Sequence, residues 1–360
     1  MRDAGGVLPM TPRERWLAVL EGRRPDRIPC DYWATAEVTA RLMRDFGCHS
    51  KREVWEHLGV DKCVRLAALH PLAKEDDWHI DSNFAIWHVG TADIPYQDGL
   101  GVYTETVSHP LAQAAIVADV ERFDWPDPEA WEVRNLRARC EKWRGYPILG
   151  GTYEPFYLYC HLRGMEQALA DFILNPAVLA AALDRIYWIH ESIIRRTLDE
   201  AADLIDCIYV AEDLGTQESL LMSPGSFRRF LKPRMARMIE LVHSYGVRVF
   251  HHDDGAIRPL IPDLLEIGID VLNPIQWRCR GMEREGLARD FGASVVFHGA
   301  VDNQKTLPFG APEDVRREVA ENIRIFKDCK GYIMAPCHNL QPNTPTVNIV
   351  ALYEAVQEFG

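Results

Sequence analysis

The chain has 360 residues, 47% of them apolar, so its length and composition allow one large domain or two around a real core. Its 53 Asp and Glu outweigh 40 Lys and Arg, giving a net charge of −13; this argues against a nucleic-acid or membrane-surface binder, because phosphate recognition needs concentrated positive charge. It contains no apolar run of about 18 residues and no apolar leader, and its nine cysteines lack any CxxC pair, so the expectation is a soluble, cytoplasmic protein with reduced thiols.

Residues 1–10 read as a frayed start. Thr11-Pro12-Arg13-Glu14 then opens a helix, with a Thr N-cap, Pro at the first helical position and Glu in the first turn. A strand is expected near Ile28, with Asp31, Tyr32 and Trp33 at its exit, and helices over 36–46 and 52–58. From 63 to 125 the texture changes to aromatic, Gly- and Thr-rich stretches. Alternating runs on either side of Gln97-Asp98-Gly99 predict a β-hairpin insertion, either walling the site or sealing an edge. Further helices are expected over 129–144, 161–174, 176–201, 224–245, 256–267, 282–291, 312–329 and 345–358. The strand candidates near Ile28, Cys63, Ile148, Ile205, Val247, Val271, Val295 and Tyr332 number eight and alternate with helices. The expected fold is therefore an α/β (β/α)8 TIM barrel over the whole chain, 1–360, with an N-terminal β-hairpin insertion.

The chemistry gathers where these strands end. Val247 to Phe250 runs into His251-His252-Asp253-Asp254 before Gly255. Side chains alternate along a strand, so His252 and Asp254 point one way while His251 and Asp253 point the other. With Cys337 from a later strand end, His252 and Asp254 would offer nitrogen, oxygen and sulfur to a divalent ion, and Glu154 is a candidate fourth ligand. Zinc accepts all three donor types. The alternative is a cluster that only hydrogen-bonds a polar substrate, with Cys337 only packing, and spacing leaves both readings open.

Glu212 and Asp213 end another strand ahead of Gly215 and Gln217. They are candidate catalytic residues, one as a general acid, or else caps on a helix N-terminus. Tyr32, Glu154, Gln217, Asn273, Gln276, His298, Asp302 and His338 lie on the same rim and are candidate substrate contacts. Asn273 and Gln276 read equally well as groups that satisfy loop backbone.

The order of several segments resembles the uroporphyrinogen decarboxylase superfamily. The likeness is carried by Arg13-Glu14-Arg15, Pro25-Asp26-Arg27-Ile28-Pro29, Asp213-Leu214-Gly215-Thr216-Gln217, His252-Asp253-Asp254-Gly255, Asn273-Pro274-Ile275-Gln276, His298-Gly299-Ala300-Val301-Asp302 and Pro336-Cys337-His338-Asn339. True decarboxylases of this superfamily carry an Arg-Gln-Ala-Gly-Arg type segment after the first strand, where this chain has Trp33-Ala34-Thr35-Ala36-Glu37. The zinc-dependent corrinoid methyltransferases carry a His-x-Cys-Gly segment and a later Cys; here Asp254 stands where the first Cys is expected, while His252 and Cys337 match. The resemblance therefore implies zinc, a methyl transfer between a small methoxy or thiol substrate and a corrinoid, and a homodimer. No Asp-x-His-x-x-Gly segment is present, so the corrinoid would arrive on a separate carrier protein. The alternatives are a carboxy-lyase resembling uroporphyrinogen decarboxylase and a barrel that binds a ligand without turning it over.

Overall fold

The computed structural model describes residues 9–73, 84–96 and 101–360. Its strands are β1 (Val64–Arg65), β2 (Gly90–Tyr96), β3 (Gly101–Ser108), β4 (Ile148–Tyr153), β5 (Cys207–Ala211), β6 (Arg248–His252), β7 (Val271–Asn273), β8 (Val296–Val301) and β9 (Gly331–Pro336). Seven of them form one parallel sheet in the order β1-β4-β5-β6-β7-β8-β9, with helices in the connections, as buried apolar runs alternating with amphipathic stretches require.

The two ends of this sheet meet on residues 29–31. Asp31 N donates to Met334 O (2.8 Å), Met334 N donates to Pro29 O (2.9 Å), and Asp61 N donates to Cys30 O (2.7 Å) on the approach to β1. Asp61, fully buried, holds the junction: it accepts from Arg15 Nη1 (2.9 Å), Arg27 Nη1 (2.6 Å) and Cys30 N (3.1 Å). Removing one partner from a buried ion pair of this kind costs about 3–5 kcal/mol. Of the eight expected strands, seven are therefore strands and the first is this bridging segment.

Alternation along each strand builds an inner face. Cys207 and Tyr209, Phe250, Val271, Val296 and Ile333 pack there, with Trp16 from the helix Pro12–Leu20 filling one end. Trp16 Nε1 donates to Asp61 O (2.8 Å). The predicted start of that helix is present as a capping box, Glu14 N to Thr11 Oγ1 (3.2 Å) and Thr11 N to Glu14 Oε2 (2.7 Å).

Two helices differ from expectation. The one read over 161–174 is a pair, Pro155–Arg163 and Met165–Ala170, split at Gly164, whose φ of +89° no helix accommodates. Its first half escaped notice because Phe156 to Cys160 is continuously apolar and aromatic, without helical period. The helix read over 129–144 is cut to a turn at Pro128–Ala130 and a short helix Leu136–Glu141, because Glu132 exchanges both backbone bonds with Leu69 (2.8 and 3.1 Å).

Between β1 and β4, β2 and β3 pair as an antiparallel ribbon; the turn at Gln97-Asp98-Gly99 lies outside the described residues. The ribbon is tied to the helix after β4 by Thr106 Oγ1 and His161 Nδ1 (2.6 Å), and the segment that follows it by His109 Nδ1–H donating to His161 O (2.7 Å). All nine cysteines are free thiols, and no described helix is long and apolar enough to cross a membrane.

Candidate functional site

β6 delivers its polar residues to opposite sides, as alternation predicts. His252 Nε2 lies 3.9 Å from Asp254 Oδ2 on one side, while His251 Nε2 lies 3.8 Å from Asp253 Oδ2 on the other. The second pair is fully buried and structural: His251 Nδ1–H donates to Val210 O (2.8 Å), and Asp253 Oδ1 accepts from Leu214 N (2.7 Å). The first pair faces the mouth and gains a third member, Asp213, whose Oδ1 is 3.6 Å from His252 Nε2. Ligand atoms of Asp213, His252 and Asp254 all lie within 4.8 Å of one another.

Asp213 reaches this place because two loops touch backbone to backbone. A Cβ at Gly215 would sit 2.5 Å from Asp254 O, and a Cβ at Gly255 would sit 2.5 Å from Gly215 C. Ala256 N donates to Thr216 O (2.7 Å) across the same junction, and Gly255 N donates to Gln276 Oε1 (2.9 Å). Glycine on both loops permits an approach that any side chain would block.

A buried hydrogen-bond chain then orients the imidazole. Asp31, fully buried, is held well below the usual carboxylate range: burial alone would raise it, but Lys62, His298 and the Cys63 amide outweigh that. As a carboxylate it can only accept, so His298 Nε2–H donates to Asp31 Oδ2 (3.3 Å). Burial lowers the pKa of His298 and keeps it neutral, so its Nδ1 accepts from Asn273 Nδ2 (2.7 Å). Asn273 Oδ1 in turn accepts from His252 Nδ1–H (2.6 Å). The chain therefore holds His252 Nδ1 as a donor and turns Nε2 toward Asp213 and Asp254. Asn273→Leu, which breaks both of its bonds, is expected to weaken divalent-cation binding about 10- to 100-fold without loss of cooperative unfolding, as read by calorimetric titration. Unchanged affinity would remove the chain from the account.

The donor set fits a divalent cation. It has one imidazole nitrogen with its partner nitrogen held, and two carboxylates that would neutralise the ion's charge. Asp254 Oδ1 is buried yet takes part in no hydrogen bond among the described residues. Trp33 and Tyr209 stack on the His252 ring (centroids 5.9 and 5.6 Å) and limit its movement. The atoms packed about Asp213 push its carboxyl pKa up; His252 opposes this and Asp254 adds to it. His338 Nε2 lies 3.9 Å from Asp254 Oδ2 and stands at the edge of the group.

Other expected site residues lie elsewhere or do other work. The Cys337 thiol is not brought into the group: it is buried, donates to Ile275 O (3.2 Å), and its backbone N continues the β8–β9 ladder to Val301 O (2.8 Å). Burial pushes its pKa well up. Glu212 is buried on the amides of Phe156 (2.9 Å) and Tyr157 (3.0 Å), so it caps the helix Pro155–Arg163, which precedes it in the chain, and not a helix that follows it. Asp302 accepts from the amides of Gln304, Lys305 and Thr306 and closes the turn after β8. Gln276 satisfies the Gly255 amide. Tyr32 OH pairs with Thr39 Oγ1 (3.0 Å), Glu154 follows β4 at the N-cap position of the helix Pro155–Arg163, and Gln217 O accepts from Arg280 N (2.9 Å). Asp31 and Lys62 were missed as parts of the site, although a carboxylate inside an apolar strand exit is itself a signal.

A parallel α/β sheet curled on itself, with its polar groups collected at the carboxyl ends of the strands, defines the class. A sequence profile described as Uroporphyrinogen decarboxylase (URO-D) matches residues 77–359, and the chain belongs to that family. A uroporphyrinogen decarboxylase of Thermus thermophilus is 31% identical over 145 residues, a match that spans 39% of this chain and 38% of that protein. The methylcobamide:CoM methyltransferase MtaA of Methanosarcina barkeri is 23% identical over 363 residues, 97% of this chain and 98% of that protein. A solved methyltransferase from Methanosarcina mazei shares the fold, with a TM-score of 0.67 at 22% identity over 97% of this chain and 99% of that one. The family thus includes enzymes named for two different reactions.

Proposed function

We propose that this protein is a metal-dependent methyltransferase that moves a methyl group between a small methoxy- or thiol-bearing substrate and a corrinoid held on a separate carrier protein. The observation that carries the reading is the meeting of Asp213, His252 and Asp254 at the strand ends, with the imidazole oriented from behind by Asn273. The full-length likeness to MtaA supports it. We take the curled sheet and the 29–31 segment as a closed (β/α)8 barrel, with the β2–β3 ribbon as an insertion beside its mouth.

His252 Nε2 and one oxygen each from Asp213 and Asp254 would hold the ion; Cys337, outside this group, is not needed for it. When bound, zinc supplies Lewis acidity to the heteroatom that carries or receives the methyl group, and the corrinoid supplies the cobalt that exchanges it. Trp33 and Tyr209 keep water from the flanks of the imidazole. His338, half-buried beside Asp254, offers a ring nitrogen to the substrate at the open side. The carrier protein docks over this mouth, and the protein itself forms the homodimer that the resemblance implies.

The test is elemental analysis of freshly purified protein, followed by incubation with a methylated corrinoid carrier and a thiol, with the thioether read by mass spectrometry. Stoichiometric divalent metal and thioether formation are expected. Carbon dioxide release from a carboxylate substrate by metal-free protein would instead establish the carboxy-lyase reading, which the decarboxylase relatives favour.

A further inference from the structure

Parallel strands β5 and β6 run in register as far as Ala211 and His252, and Glu212 N donates to His252 O (2.9 Å) at the end of their ladder. In that register the next amide along β5, Leu214 N, would donate to the Asp254 carbonyl. It donates instead to the Asp253 side chain, at Oδ1 (2.7 Å). The Asp253 carboxylate thus takes the place of a ladder acceptor where the loop carrying Asp213 leaves the sheet. On its other side Asp253 continues the β6–β7 ladder: its N donates to Asn273 O (2.8 Å), and Asn273 is the residue that holds His252 Nδ1. One residue, lying between His252 and Asp254 in the chain, is therefore bonded to the loops after both neighbouring strands.

Asp253 and Leu214 are both fully buried. The second carboxyl oxygen, Oδ2, makes no hydrogen bond among the described residues and lies 3.8 Å from His251 Nε2, which makes none either. A buried carboxyl group with one oxygen unsatisfied costs stability that an apolar side chain of the same size would not. An apolar side chain would, however, leave the buried Leu214 amide without an acceptor and the residue directly after Asp213 without an anchor. Asp254 N reaches Asp213 Oδ1 only at 3.5 Å, so the bond from Leu214 to Asp253 is the tighter of these two carboxylate bonds between the loops.

We propose that Asp253 is a positioning residue for the metal site, acting through the Leu214 amide to hold Asp213 beside His252 and Asp254. Its own carboxylate points to the other side of β6 and ligates nothing. The inference rests on the divalent-metal reading of the Asp213, His252 and Asp254 group, and not on methyl transfer.

Calorimetric titration of the full chain with zinc ion alone tests it. Asp253→Leu, which has no acceptor for the Leu214 amide, is expected to bind zinc about tenfold or more weakly than the parent, and Asp253→Asn, which keeps an oxygen there, to recover most of that loss. In the Asp213→Ala background Asp253→Leu is expected to weaken zinc binding no further, because its route to the ion is gone; a merely structural loss would appear in both backgrounds. Hydrogen exchange in metal-free protein gives a readout without the ion: the Leu214 amide is expected to exchange faster in Asp253→Leu and at the parental rate in Asp253→Asn. Should Asp253→Leu not fold, Asp253→Ala, which removes the acceptor without adding bulk, is read in the same way. With a zinc-binding parent, parental affinity in the variant lacking the acceptor, equal losses in the Leu and Asn variants, a loss of the same size with and without Asp213, or unchanged exchange at Leu214 would overturn this proposal alone. A parent without zinc affinity would overturn the metal reading and this proposal with it.

Discussion

Replacing His252 with alanine is expected to strip the divalent metal and, with it, methyl transfer, while leaving a folded protein. The substitution removes the nitrogen donor and leaves Asp213 and Asp254 as like charges facing each other, so metal affinity should fall about 100-fold or more. The ring also packs between Trp33 and Tyr209, and its loss leaves a cavity worth about 2–3 kcal/mol of stability. Unfolding in urea separates this packing cost from the chemical one. Metal content by elemental analysis reports the chemistry, and a variant that holds metal and transfers methyl groups as the parent does would end the metal-site reading.

Gly255→Ala is expected to act just as strongly without altering any candidate ligand. Gly255 has a φ of +92°, and an added Cβ would lie 2.6 Å from both Gly215 O and Thr216 O. Positive φ costs a non-glycine residue about 1–2 kcal/mol, and overpacking against backbone that cannot change rotamer adds about 1–3 kcal/mol. A loss of about 3 kcal/mol in denaturant unfolding follows, or a separation of the two loops that parts Asp213 from Asp254 and weakens metal binding. Gly246→Ala is the control: its φ is +75°, with nothing within 4 Å, so only the backbone term applies. Equal losses at the two positions would mean that close approach of the loops is not what assembles the site.

Some of this was written in the order of residues and some was not. The βα alternation and the strand ends were legible from apolar runs closed by polar clusters, and the first helix from Thr11, Pro12 and Glu14. The helix Pro155–Arg163 was only half legible, because its buried faces leave no amphipathic period to read. The closing segment at 29–31 was read as an ordinary strand; its pairing depends on Asp61, Arg15 and Arg27, which no local pattern connects.

Within the site the same division holds. Sequence alone determined that His252 and Asp254 share a side and that His251 and Asp253 take the other, because the period of a strand is covalent geometry. Only the tertiary structure decided that Asp213 joins them and Cys337 does not, that Glu212 caps a helix, and that Asn273, His298 and Asp31 orient the imidazole. Those partners sit on different strands and loops, and their meeting depends on strand register and on two glycines letting backbones touch, neither of which is a property of neighbours in the chain.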